Sequence, residues 1–285
     1  MSSLVPTGLG IAVLAGAWHF QVRSWMPFAV GGAIAAVGIV SWAVMISAYF
    51  RKRNWADRMA ADATRPWRAE DRWARGFTLR PTDSRRALQW WAGAAAALAA
   101  AGTFAAAMPC LASWIALAGA AALAGCAGYR TWRLAKYGAS RLELERMPVV
   151  PGRRLEATLR CRAHVEARGP FAVTLRCVRG TVEVVVGFRG RRHEYVRKSV
   201  LCEETATATG STAGGEWKTA VPVAIEVPEG LPHTMTPMDR RRESSVVWTL
   251  TVSAETPGVD FRTEFELPVF GAADESLIEK RPEAG

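Results

Sequence analysis

Paired cysteines are the first thing this chain lacks. Its five cysteines, Cys110, Cys126, Cys161, Cys177 and Cys202, form no CxxC pair, so neither a disulfide framework nor a zinc knuckle can be written from their spacing. Histidine is equally thin, with His19, His164, His193 and His233 isolated from one another, which argues against a histidine metal site. Nor is there a GxSxG elbow, an HExxH helix, a GxxxxGK[ST] phosphate loop or a GxGxxG turn, the signatures of hydrolases, metalloproteases and nucleotide enzymes. Glu194 beside His193 and Asp260 near Glu264 are the nearest approach to an acid/base pair, and both read as charges on exposed strand faces. The expectation is therefore no catalytic residue, no metal and no cofactor.

Acidic residues are scarce in the first half. Before residue 140 stand fifteen of the 36 Lys/Arg but only five of the 26 Asp/Glu, so the whole net charge of +10 belongs there. A nucleic-acid module would carry such an excess on a folded face with base-reading or stacking residues. Here it flanks apolar runs, so no nucleic acid is expected.

Charge is absent altogether from Ala87 to Gly128, two alanine-rich apolar runs broken only by Met108-Pro109-Cys110. That length and composition predict membrane crossing. The expected fold is an α-helical membrane part of four spans in two hairpins, joined to an all-β antiparallel sandwich of immunoglobulin type. The first hairpin covers 1–50, with spans at 4–22 and 28–50. A basic, tryptophan-containing cytoplasmic loop covers 51–86, and the second hairpin covers 87–136, with spans at 88–107 and 111–132. The β-sandwich covers 140–271 and a flexible tail 272–285. For the segment 4–22 a cleaved signal peptide competes, since Ala15-Gly16-Ala17 resembles a cleavage site, although no Lys or Arg precedes it in the first ten residues.

Basic residues at the inner joints decide the expected orientation. Arg51-Lys52-Arg53 closes the first hairpin, and Arg130, Arg133 and Lys136 close the second, so both termini are expected on the cytoplasmic side of an inner membrane. Arg51, Lys52, Arg53, Trp55, Trp67 and Trp73 are the membrane-interface candidates. Trp55, Met59 and Ala63 recur at helical spacing, so a short amphipathic helix ending before Pro66 competes with a loosely ordered connector. Gly93, Ala97, Ala101, Ala118, Ala122 and Gly125 predict close helix packing.

From Arg141 onward the period changes to two. About eight strands follow: one beginning at Leu142 and Leu144, then Leu155–Val165, Phe171–Val178, Thr181–Phe188, His193–Leu201, Trp217–Val227, Val246–Ala254 and Phe261–Val269. Trp248, Leu250, Val252 and Ala254 alternate with Thr249, Thr251 and Ser253, the pattern of a strand with one buried face. Pro257-Gly258 makes the last two a hairpin. Thr205–Gly215 reads as a mobile loop. The run Arg240, Arg241, Arg242 reads as solvated surface, with lipid or partner contact as its functional alternative.

Several motifs occur together: Pro66-Trp67 with Trp73-Ala74, Met147-Pro148, Pro151-Gly152, Val221-Pro222-Val223, Val227-Pro228-Glu229, Val247-Trp248-Thr249-Leu250, Thr256-Pro257-Gly258-Val259-Asp260-Phe261 and Leu267-Pro268-Val269-Phe270. In this order they resemble an uncharacterised family of bacterial multi-span inner-membrane proteins, from about residue 60 to 270. The members read closer to Pro-Trp-x-Trp-Arg-x-Asp-Trp, whereas this chain has Ala69 at the middle tryptophan. That resemblance implies an architecture and no reaction. Ile225-Glu226-Val227-Pro228, Pro232, Thr234 and the Val-Trp-x-Leu hairpin are similar to the later strands of arrestin-like sandwiches, which implies an adaptor. The expected function is a tethered interaction module with the lipid bilayer and a protein partner as its contacts. A subunit of a transport or channel assembly is the alternative, and an enzyme ranks below both.

Overall fold

The structure is a computed structural model. It describes residues 42, 45–50, 53–62, 64–74, 76–82, 90–99, 101–102, 111–186, 192–235, 244–271 and 278–281. The chain divides into two compact units: Met1–Asn54 with Arg85–Trp132, and Trp55–Ser84 with Arg133–Gly285.

The described part of the first unit is helical. Residues 45–50 and 90–99 are helical, and the longest helix is Leu111–Tyr137, 27 residues, whose last turns pass into the second unit. Within this unit Arg130 lies over the Trp90 ring at 4.9 Å, and Trp91 donates its indole N–H to Thr131 Oγ1 at 2.7 Å. Ala94, Ala101, Ala120 and Ala127 are the buried residues. Among the described residues nothing lies within 4 Å of a Cβ built on Gly93 or Gly125.

The membrane reading is corrected by these helices. Among the described residues no helix is long and apolar enough to cross a membrane. Leu111–Tyr137 has the length, but alanine and glycine dominate it and contribute little transfer free energy, and Arg130, Arg133 and Lys136 stand in its last two turns. The expected segment 4–22 lies outside the described residues, and 28–50 and 88–107 are described only in part. The four-span membrane part, and with it the placement in an inner membrane with cytoplasmic termini, is not what the structure supports.

The second unit is a β-sandwich. Its strands are β1 (Thr78–Leu79), β2 (Ser140–Leu144), β3 (Arg146–Met147), β4 (Arg154–Cys161), β5 (Phe171–Val186), β6 (Arg192–Ala208), β7 (Ser211–Thr212), β8 (Thr219–Glu226), β9 (Ser244–Ala254), β10 (Phe261–Leu267) and β11 (Glu279–Lys280). One sheet has the order β1-β2-β4-β8-β7 and the other β10-β9-β5-β6, while β11 pairs with β3 alone. All ladders between these strands are antiparallel.

Alternation builds the core. Leu155, Ala157, Leu159 and Cys161 of β4, with Val221, Val223 and Ile225 of β8, are buried in one cluster with Val173, Leu175 and Cys177 of β5, Trp248, Leu250 and Val252 of β9 and Phe261, Phe265 and Leu267 of β10. The period-two register places every second residue inward, so each strand contributes three or four apolar side chains. Ser140 and Thr263 are the polar pair within this interior, their hydroxyls 3.0 Å apart and thus mutually satisfied. The β9–β10 hairpin forms as its sequence predicts, with Ala254 opposite Phe261 and Gly258 at φ +83 in the turn, a conformation suited to glycine.

Two segments lie differently from their sequence reading. Thr78–Leu79, inside the expected loop, adds an edge strand to β2, and Glu279–Lys280, inside the expected tail, pairs with β3. Phe171–Val178 and Thr181–Phe188 are one continuous strand as far as Val186, and β6 runs on to Ala208 through part of the expected mobile loop.

Candidate interaction surface

The expected interface residues are dispersed by the structure. Arg51 and Lys52 lie outside the described residues, as do Arg240, Arg241 and Arg242; Arg53 is exposed and Trp55 half-buried on the helical residues 53–61. Trp67 and Trp73 are 3% and 2% exposed and belong to the sandwich core, against Phe270 at ring distances of 5.8 and 6.0 Å. Pro66 starts a 3-10 turn, Pro66–Ala69, that folds this segment onto the sandwich. Arg68 and Arg65 then reach Glu279 at 2.6 and 3.4 Å, and Arg72 pairs with Glu266.

That segment closes one sheet edge. Trp73 donates its indole N–H to the Glu266 carbonyl at 3.1 Å, and the Thr82 amide donates to the Glu264 carbonyl at 2.9 Å, both on β10. Two outward backbone acceptors of β10, those of Glu264 and Glu266, are thereby occupied. In the five-stranded sheet the edges are the two-residue strands β1 and β7, too short to template a further strand.

The opposite edge of the four-stranded sheet, β6, has no further strand beside it among the described residues. Strand β6 is 17 residues long and pairs only with β5 among the described residues. A register shift between Cys177 and Val178 takes the ladder from Cys177 opposite Cys202 to Val178 opposite Val200, leaving Leu201 as the extra residue of a β-bulge. Among the described residues β9 pairs with β5 only as far as Thr181, and beyond it β5 and β6 pair with each other as a two-stranded arm.

Side chains on the arm follow from its register. Val182 stands opposite Val196, Glu183 opposite Tyr195 and Val184 opposite Glu194. One face therefore carries Val182, Val184, Val196 and Val200, which are 39, 53, 56 and 54% exposed, together with Glu194 and Lys198. On the other face the Tyr195 hydroxyl donates to Glu183, and Arg197 donates to the same carboxylate at 3.3 Å. The tyrosine hydrogen bond, then Arg197, hold the Glu183 carboxyl below its usual range, and the same bond pushes the Tyr195 hydroxyl up. β-Branched valine favours the extended backbone, which explains why this stretch is strand without a core beneath it.

The remaining concavities offer little chemistry. An open cleft of about 450 Å³ is lined by Arg168, Ser253, Glu255 and Asp260 among others, with no histidine to serve Ser253 as base. Asp260 is already engaged, accepting the Thr256 amide at 3.2 Å across the β9–β10 turn. His193 and Glu194 are neighbours on an exposed strand and point to opposite faces of the arm. His233 accepts the Gly271 amide at Nδ1, a structural bond. Among the described residues no group of three His, Cys, Asp or Glu is placed to hold a metal ion.

Cys161 and Cys177 are buried rather than activated. Burial pushes the Cys161 thiol up to about 12, and burial with the neighbouring Cys202 does the same for Cys177. Neither carries the thiolate that nucleophilic chemistry needs near neutrality.

The open arm was missed in the sequence because the expected break at Arg179-Gly180 divided β5. The signal that could have found it is the Val182–Val186 run, which contains too many apolar residues for a strand with one solvated face.

No protein-family model matches the chain, and no curated protein matches it in sequence. Among solved structures it is similar to Spo0M, a sporulation control protein from Bacillus subtilis, at 13% identity over 46% of this chain and 49% of that chain, with a TM-score of 0.28. The similarity spans about half of that protein, and a TM-score this low carries no argument; the two-sheet sandwich rests on this chain's own ladders.

Proposed function

We propose that this protein is a non-catalytic interaction protein, an adaptor in the arrestin-like sense, whose β-sandwich presents the β5–β6 arm to a protein partner. The observation that carries the reading is the contrast between the sheet's two edges. The Glu264 and Glu266 acceptors of β10 are taken by Thr82 and Trp73, whereas β6 is long, pairs with β5 alone among the described residues and lies beside exposed valines. Sheet edges of this kind bind by strand addition, with main-chain hydrogen bonds supplying affinity and alternate side chains supplying selectivity.

Photo-crosslinking tests it. A crosslinking residue placed at Val184 in the full chain should capture a discrete protein in cells, and Val182→Lys with Val196→Lys should abolish the adduct while leaving the circular dichroism spectrum unchanged. An arm that yields no adduct, or one indifferent to both lysines, would remove the reading.

A further inference from the structure

We infer that the arm's partner is a second copy of this chain, joined β6 to β6 about a two-fold axis through Val196. This deepens the reading above and rests on it. The regular stretch of the outer strand runs from Arg192 to the bulge at Leu201, nine residues from 192 to 200 whose midpoint is Val196. In an antiparallel pair related by an axis normal to the sheet, directly opposed residues share a face, so residue 196 + n meets residue 196 − n.

That register is self-complementary. Glu194 falls opposite Lys198 of the other copy, and Lys198 opposite its Glu194, so two ion pairs form for each dimer. Neither residue has an ion pair within its own chain among the described residues, and both are exposed. Val196 meets its own symmetry mate, extending the valine face of Val182 and Val184 across the axis. On the opposite face Arg197 lies against the Tyr195 ring of the other copy, a cation–π arrangement.

Neighbouring registers lack this match. Centring on Tyr195 puts Glu194 opposite Val196 and leaves it without a charged partner. Centring on Arg197 leaves Glu194 opposite Val200 and Lys198 opposite Val196. Charge thus selects one register from a strand whose backbone would accept several. The product joins two four-stranded sheets edge to edge and covers residues 192–200 of the outer strand in both copies.

Charge exchange in the full chain tests the pairing. The wild type should sediment as a dimer, and the dimer should weaken as salt is raised. Glu194→Lys sets lysine against lysine twice, and Lys198→Glu sets glutamate against glutamate twice. Each alone should weaken the dimer by about tenfold or more. The double variant E194K/K198E should restore it, and equal amounts of the two single variants, differently tagged, should form a heterodimer, because 194 and 198 are then complementary in both directions. A monomeric wild type, single variants that associate like wild type, or a mixture that gives no heterodimer would overturn the pairing. If the arm still crosslinks a different protein in that case, the adaptor reading stands without the dimer.

Discussion

Trp73 and Glu266 are 193 residues apart in sequence, yet the Trp73 indole N–H donates to the Glu266 carbonyl at 3.1 Å. The bond places a buried ring under the sandwich and at the same time occupies an outward acceptor of β10. Trp73→Ala should destabilise the β unit by about 3–5 kcal/mol from the cavity, and Trp73→Phe by about 1–3 kcal/mol from the carbonyl left without its donor. Urea unfolding followed by fluorescence reads both.

Trp67 makes the opposite case. Its ring is as buried as that of Trp73, but its indole nitrogen has no hydrogen-bond partner. Trp67→Phe removes an unsatisfied donor along with some ring area, so its cost should fall below that of Trp73→Phe. Equal midpoints for the two variants would contradict the assignment of that nitrogen.

Glu143 joins three parts of the chain. Its carboxylate accepts from Arg160 at 2.8 Å and from Arg281 at 2.8 Å, the latter tying residues after β11 to β2. Burial would raise its pKa, but the hydrogen bonds from Arg281 and Arg160 and their charges outweigh it, and the carboxyl sits below its usual 4.5. A depressed folded value means stability present above pH 4.5 and lost as pH falls through the folded value. Glu143→Gln should cost about 1 kcal/mol at pH 7, discounted for the partial exposure of both arginines, and the difference should vanish once pH has fallen through the folded value. Thermal unfolding of both proteins from pH 2 to 7 measures the convergence.

Cys161 has the reverse dependence. Its thiol is raised to about 12 from 9.0 by burial, so between those values an unfolded chain has released a proton that the folded one retains. Stability therefore falls as pH rises from about 9 to 12. Cys161→Ala should reduce that fall by up to about 1.4 kcal/mol per pH unit. Alkylation gives an independent measure: Cys126, which is exposed, should react in the native protein, while Cys161 and Cys177 should wait for unfolding.

Much of the sandwich was legible because a strand with one buried face writes its own pattern. Trp248, Leu250 and Val252 against Phe261, Phe265 and Leu267 needed nothing beyond alternation and the Pro257-Gly258 turn. The two-residue strands β1 and β11 were not legible, since two residues have no period, and their pairing depends on where β2 and β3 happen to lie. Charge alone makes the basic tryptophan segment a candidate bilayer contact or a loose connector. Trp67 and Trp73 belong to the core, where Phe270 offers the ring contacts, while Trp55 is half-buried outside it.

The apolar runs show the limit of composition. Absence of charge from Ala87 to Gly128 was read as membrane-spanning length, but alanine supplies helix propensity more than it supplies hydrophobicity, and no described helix reaches the apolarity that crossing requires. By itself the sequence determined which residues of each strand face inward, since side-chain direction in an extended chain is a local property. Only the tertiary structure decided which sheet edge is covered and which is left open, because a backbone acceptor on β10 is satisfied or not according to where a segment nearly two hundred residues earlier comes to rest.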